Sequence, residues 1–289
     1  MGGVGEERRS LPPTLTDMRR AVLAWAVIGA LLVVVLTPFY WMVNTSLKTS
    51  AQVQSLEPYY YPRPLTLRNY VELLTATRFP VWIRNSATVA LGATLVTVVV
   101  SCLAGYSLTR IRYPGRRLLA TTVLIVYLVP PTLLFIPLYT ILNGLGLSNT
   151  LWALLVAYPT FTVPFCTWLL MGFFRSIPPD LEDAAMVDGA NRIQAFRRVI
   201  LPLAAPGVLA AGLFAFTLAW NEFLYALVFV HDTELKTVPV GLNDLMFGDI
   251  YLWGQLMAAS VLTTVPVVVL YTYLQRYMVE GLTAGAVKG

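Results

Sequence analysis

Charge is scarce in this chain. Only 12% of its 289 residues are Asp, Glu, Lys or Arg, whereas a soluble domain carries roughly 25%, so there is too little charge to coat a globule in water. Histidine occurs once, at His231, and cysteine twice, at Cys102 and Cys166, both inside apolar runs. That inventory excludes a disulfide framework, a zinc site and a catalytic set built on histidine. The phosphate-loop signature G-x-x-x-x-G-K-[ST] is missing too, so ATP hydrolysis by that device is not expected of this chain. No internal repeat, low-complexity tract or second soluble domain interrupts it.

What the sequence does have is hydrophobic length. Apolar residues make up 57% of it and the mean hydropathy is +0.68. A bilayer core takes about 20 apolar residues of helix. Six stretches meet that need: 21–43, 86–108, 118–142, 150–174, 203–230 and 251–275. The first has a longer apolar core than a secretory leader and no small-residue cleavage site after it, so it is read as a retained span. Pro130, Pro131 and Pro137 in the third stretch, and Pro159 and Pro164 in the fourth, predict kinks. The expected fold class is all-α and polytopic, about six transmembrane helices forming one membrane domain over 1–289.

The net charge of +5 follows from where the basic residues fall. Arg8, Arg9, Arg19, Arg20, Arg110, Arg112, Arg116, Arg117, Arg175, Arg192, Arg197, Arg198, Arg276 and Lys288 would lie on one side of the membrane. Lys48, Arg63, Arg68, Arg78, Arg84 and Lys236 would lie on the other. Fourteen against six places both termini, 1–20 and 276–289, on the cytoplasmic side. The excess is a topology signal and implies no nucleic-acid partner. Outside, Asn44 to Asn85 reads as an extended loop with a short helix near 67–75, and His231 to Ile250 as a partly polar connection.

The most informative segment is the cytoplasmic loop 176–202. Pro178 and Pro179 suit a helix start, where the missing N–H groups cost little. Asp180, Glu182 and Asp183 then fall in the first turn, where the helix dipole favours acids. Gly189 ends that helix in a left-handed conformation and Asn191 caps a second one, with Ile193, Phe196 and Ile200 on its apolar face. The product is a short helix-turn-helix at the membrane surface, with Ala184 and Ala185 on its first helix. An ordinary amphipathic connection has the same grammar.

These residues nevertheless resemble the "EAA" loop of permease subunits in ATP-binding-cassette importers: Leu181-Glu182-Asp183-Ala184-Ala185, then Asp188-Gly189-Ala190, then Ile200-Leu201-Pro202 at fixed spacing. Asp183 stands where the family usually has glutamate, one methylene longer. Tyr106 to Arg110 with Tyr113-Pro114-Gly115-Arg116 is similar to the family's second cytoplasmic turn, and Trp220-Asn221-Glu222-Phe223 to its fifth span. The ending Gly281 to Gly289, with Tyr251-Leu252-Trp253-Gly254 upstream, resembles the smaller maltose-type permease subunit. The resemblance implies the type I importer permease fold in the inner (plasma) membrane of a prokaryote. It also implies a similar second permease, two ATPase subunits that bind ATP and Mg, and an extracytoplasmic sugar-binding protein delivering a carbohydrate. No cofactor in this chain is implied. Glu182, Asp183, Ala184, Ala185, Asp188, Gly189 and Ala190 would couple to the ATPase, and the glycine-rich tail, by default a flexible end, would tuck between the ATPase subunits.

Two further candidates come from the residues themselves. Glu222 is the only acid within the spans, and intramembrane acids face protein or water. Asn221 and Glu222 are therefore expected to line the solute path or, alternatively, to contact a partner subunit's helices. In the outer loop, Gly241, Asn243, Asp244 and Gly248 are expected to meet the binding protein, as the matching loop of the resembled subunit does; the plain alternative is a solvated connection. An ion-coupled secondary carrier would want several intramembrane acids or histidines. A membrane-embedded transferase would need paired acids at a membrane face, and the best such cluster, Asp180, Glu182, Asp183 and Asp188, is largely explained by the helix start.

Overall fold

The structure is a computed structural model that describes the backbone of residues 15–247 and 250–286. Helix dominates it, because a chain in lipid must bond its backbone N–H and C=O groups internally. In chain order the helices are α1 (Leu15–Ser46), α2 (Ser50–Val53), α3 (Arg68–Ala76), α4 (Phe79–Arg110), α5 (Arg116–Leu128), α6 (Phe135–Gly144), α7 (Leu151–Ala157) and α8 (Pro159–Ser176). There follow α9 (Asp180–Val187), α10 (Arg192–Ala195), α11 (Leu201–Leu203), α12 (Ala205–Asn221), α13 (Leu224–Phe229), α14 (Val238–Gly241) and α15 (Trp253–Ala286). Two-residue strands, β1 (Met246–Phe247) and β2 (Ile250–Tyr251), pair antiparallel just before α15. The short helix expected near 67–75 is α3, and the tail continues as helix through Ala286.

Among the described residues, four helical stretches are long and apolar enough to cross a membrane: Arg20–Ser46, Phe79–Arg110, Leu151–Ser176 and Trp253–Tyr277. The third and fifth expected spans are instead interrupted. In 118–142 the helix stops at Leu128, turns tightly through Pro131–Leu133 and resumes as α6, because Pro130 and Pro131 offer no N–H to continue the ladder. In 203–230, α12 stops at Asn221 and α13 starts at Leu224. The helix Arg192–Leu203 meets α12 at a 76° bend. Pro137 and Pro159 sit in the first turns of α6 and α8, where a missing donor is harmless, so only the Pro130–Pro131 pair breaks a span outright.

The centre of the fold is α4, packed between α8 and α12. Toward its Phe79 end, Val89, Ala90 and Ala93 are buried against Leu154, Ala157, Phe216 and Trp220. Toward its Arg110 end, Cys102 and Tyr106 are buried with Leu170, Phe174, Ile200 and Ala211. Small side chains let the helices approach, and small polar ones join them. The Thr97 and Thr162 hydroxyls share a hydrogen bond of 2.6 Å, and Ser101 donates to the Val163 carbonyl at 3.2 Å. Such interhelical bonds contribute about 0.6–2 kcal/mol each. Both cysteines are free and buried. In contrast, α1 packs on α15 and leaves its apolar surface bare on nearly every side.

Candidate functional site

The 32-residue α4, about 48 Å long at 1.5 Å per residue, organises a candidate surface at each end. At the Arg110 end lies the 176–202 segment. Its first helix, α9, begins with Asp180, Glu182 and Asp183 in the first turn, satisfying the dipole. It ends as expected at Gly189, whose φ is +90°, a conformation that is costly for any residue with a β-carbon. The Ala190 amide donates to the Ala185 carbonyl at 3.0 Å and the Gly189 amide to Met186 at 3.1 Å, closing the carbonyls that the helix end leaves open. Asn191 then caps α10. Its side chain accepts from the Gln194 amide, and the Gln194 side chain accepts from the Asn191 amide, both at 2.9 Å.

This elbow is fastened to α4 by two residues. The buried Tyr106 hydroxyl donates to a carboxylate oxygen of Glu182, and the Arg110 guanidinium donates to the carbonyls of Phe174 and Ile177. The two neighbouring acids therefore part company: Glu182 is 6% exposed and turned inward, whereas Asp183 is exposed. Ala184, Asp188 and Gly189 are exposed too, and Ala185 and Ala190 are half-buried. A cleft of about 460 Å³ beside them brings Arg110, Arg112 and Arg192 together with Glu182 and Asp183. Phe196 and Ile200 pack inward, but Ile193, expected beside them, is 76% exposed. The chain from Phe196 to Ile200 is wound as a π-turn, which breaks the α-helical register between Ile193 and Ile200. Val187 and Leu181 are exposed apolar side chains of the elbow as well.

At the Phe79 end, α4 pins the loop that follows α13. Trp82 Nε1 donates to the Thr233 carbonyl at 3.0 Å, and Asn85 Nδ2 to those of Glu234 and Lys236 at 2.8 and 3.0 Å. Ser86 Oγ accepts from the Val238 amide at 2.8 Å. Of the loop candidates, Gly241 is buried against the Trp82 ring, so close that a β-carbon would fall 2.2 Å from a ring atom. Asp244 is held by Lys236 at 2.7 Å. Asn243 is exposed, and Gly248 lies outside the described residues. The described loop is thus held up to Leu245, and the paired strands β1 and β2 follow it. A cleft of about 630 Å³ lies alongside, lined by Arg78, Trp82, Asp244 and Gln255.

Between these ends, the breaks of the two interrupted spans meet. The Tyr225 hydroxyl, in the first turn of α13, donates to the Pro131 carbonyl at 2.8 Å. Glu222 has a definite task there: its carboxylate accepts from the Tyr225 amide at 2.8 Å and the Ala226 amide at 3.0 Å, capping the start of α13 where lipid supplies no acceptor. Asn221 is exposed, and its amide donates to the Thr217 carbonyl on its own helix at 2.8 Å. Sequence alone does not mark Trp82, Asn85, Ser86, Tyr106 and Arg110 as site residues. Only the last two stood in a stretch that carried a signal, the Tyr106–Arg110 turn.

Comparison with known proteins bears on this arrangement. Residues 97–283 match the family described as binding-protein-dependent transport system inner membrane component. The trehalose/maltose transport system permease protein MalG of Thermococcus litoralis is 40% identical over 274 residues, spanning 91% of this chain and 96% of its own. The sulfoquinovosyl glycerol permease protein SmoH of Agrobacterium fabrum is 40% identical over 90% of this chain and 91% of its own. The trehalose permease protein SugB of Mycobacterium tuberculosis is 37% identical over 94% and 99%. Among solved structures, a bacterial transporter that imports the acidic polysaccharide alginate superposes with a TM-score of 0.79 at 20% identity, covering 93% of this chain and 99% of its own.

Proposed function

The chain belongs to the family of binding-protein-dependent transport system inner membrane components, and from that premise we propose that it forms half of the translocation path of an ATP-driven carbohydrate importer, moved by a separate ATPase that grips the 176–202 elbow. The multi-pass, inner-membrane setting and the permease role come with the family, which leaves no place for an ion-coupled carrier or a membrane transferase. The carbohydrate class rests on the trehalose, maltose and sulfoquinovosyl glycerol permeases that the chain resembles.

One observation carries the coupling role. The elbow is folded by its own caps, bolted to α4 through Tyr106 and Arg110, and exposes Leu181, Asp183, Val187 and Ile193. A rigid element with uncovered apolar side chains and an exposed acid is suited to a cleft in another protein and transmits that protein's closure. Two ATPase copies, which bind ATP and Mg, would seat this elbow and that of a similar second permease. The β1–β2 hairpin and Asn243 would face an extracytoplasmic sugar-binding protein. The paired breaks at Pro131 and Glu222, with Asn221 beside them, would border the path, since interrupted helices characterise transporter sites. Both termini would be cytoplasmic.

The test is Asp183→Lys in the assembled transporter reconstituted in vesicles. Membrane insertion, assembly and basal ATP hydrolysis should survive, while sugar uptake driven by the binding protein is lost. Normal uptake by that variant would remove the elbow from the coupling path.

A further inference from the structure

Beyond the outer end of α1 the chain doubles back and leaves a hollow of about 430 Å³ that none of these roles uses. Its walls include Trp41, Tyr59, Trp253 and Met257, with Lys48 inside and the exposed Glu57 at the rim. Lys48 is 3% exposed. Its ammonium lies over the Trp41 ring, 4.3 Å from the centroid. Among the described residues no carboxylate comes within 4.0 Å of it. The neighbouring Gln52 is already engaged, its amide nitrogen with the Arg63 carbonyl and its oxygen with the Thr49 amide.

A cation removed from water needs an anion or several acceptors, and the face of one indole supplies only part of that. Burial pushes the Lys48 ammonium pKa down, the direction expected of an under-compensated cation. The surroundings say what kind of anion fits. Lys48 is two residues beyond the stretch Arg20–Ser46, which is long and apolar enough to span a bilayer. Exposed Tyr40, Trp41, Tyr60 and Trp253 gather near that end, as amphipathic rings do at headgroup level. The hollow adjoins α1 through Trp41 and Thr45, and the apolar side chains of that helix are bare over most of its length.

We propose that this hollow binds the headgroup of a membrane phospholipid, with its phosphate on Lys48 and its acyl chains along α1 and Met257. The phosphate is the recognised chemistry, and attachment to a lipid is what the adjoining apolar face of α1 favours over a free anion.

The complete transporter, purified from membranes in mild detergent, provides the test by native mass spectrometry. The wild type should retain phospholipid on this subunit, and Lys48→Met should retain roughly tenfold less or worse, the effect of losing one charge-assisted bond. Lys48→Arg should restore retention. Millimolar inorganic phosphate should leave the lipid in place; its displacement by phosphate alone would mark a free-anion site and overturn the lipid assignment. Equal retention by Lys48→Met would overturn it as well. Should that variant fail to assemble, a photoreactive phosphatidylglycerol in vesicles decides on the wild type: labelling within residues 41–59 supports the site, and labelling that misses this segment rejects it.

Discussion

At its Arg110 end α4 holds a segment that is already ordered by its own neighbours in sequence, whereas at its Phe79 end it holds one that leans on distant parts of the chain as well, α4 foremost. The elbow owes its shape to Asn191, Gln194 and Gly189, all bonding within a few residues, and α4 adds the fastening through Tyr106 and Arg110. The outer loop depends on Trp82, Asn85 and Ser86, which bond backbone about 150 residues away. The difference teaches that one end is a pre-formed part and the other a moulded one. Losing an α4 side chain should detach the first without unfolding it and should disorder the second.

The largest effect is expected at the Tyr106–Glu182 bond. Glu182→Ala strands a buried hydroxyl, at a cost of about 1.5–3 kcal/mol, and should sharply reduce transport by the assembled complex. Because Tyr106→Phe removes the same bond, the double variant should be little worse than Glu182→Ala alone. Additive losses in vesicle uptake would show that the two residues act separately and that the elbow is not fastened there.

The two glycines sharpen the contrast next. Gly189 is needed for its backbone conformation, with open space around it, whereas Gly241 is needed for room under Trp82. Gly189→Ala should cost about 1–2 kcal/mol through its left-handed backbone, and Gly189→Asn less, since asparagine tolerates that region. Gly241→Ala should cost about 1–3 kcal/mol by overpacking, and Gly241→Asn more. Thermal melting of the purified complex reads both pairs. Asparagine easing the loss at both positions, or worsening it at both, would break the distinction.

The smallest effect belongs to Lys236 and Asp244, whose side chains are 17% and 33% exposed. Replacing Lys236 by Met should destabilise the outer loop by about 1 kcal/mol or less. The pair's contribution should shrink as salt rises, which proteolysis of the loop at two ionic strengths would measure.

Legibility in the sequence follows the same division. The ends of α9 and α10 could be read from Gly189 and Asn191, because caps are local and each residue type has a stated backbone reason. The four long spans could be read because hydropathy is a local sum. The break between Pro130 and Leu134 was visible only as a kink, since proline announces a lost donor but not how far the chain departs from helix. The break after Asn221 carries neither proline nor glycine. Glu222 therefore looked like a solitary acid in a span, and its capping of α13 appears only once the Tyr225 and Ala226 amides are seen to be open. The pinning of the outer loop left no trace: nothing near Asn85 in the sequence points to the carbonyls of Glu234 and Lys236. Gly241 and Asp244 consequently read as free loop residues, although each is engaged.

An unbroken α4 also carries a thermodynamic obligation. Both loops are bonded to the same rod, so a displacement of that rod would reach partners of the kind proposed at either end. For binding equilibria such linkage is reciprocal: whatever factor a protein seated at the outer loop contributes to affinity at the elbow, a protein seated at the elbow must return, undiminished, to the outer loop.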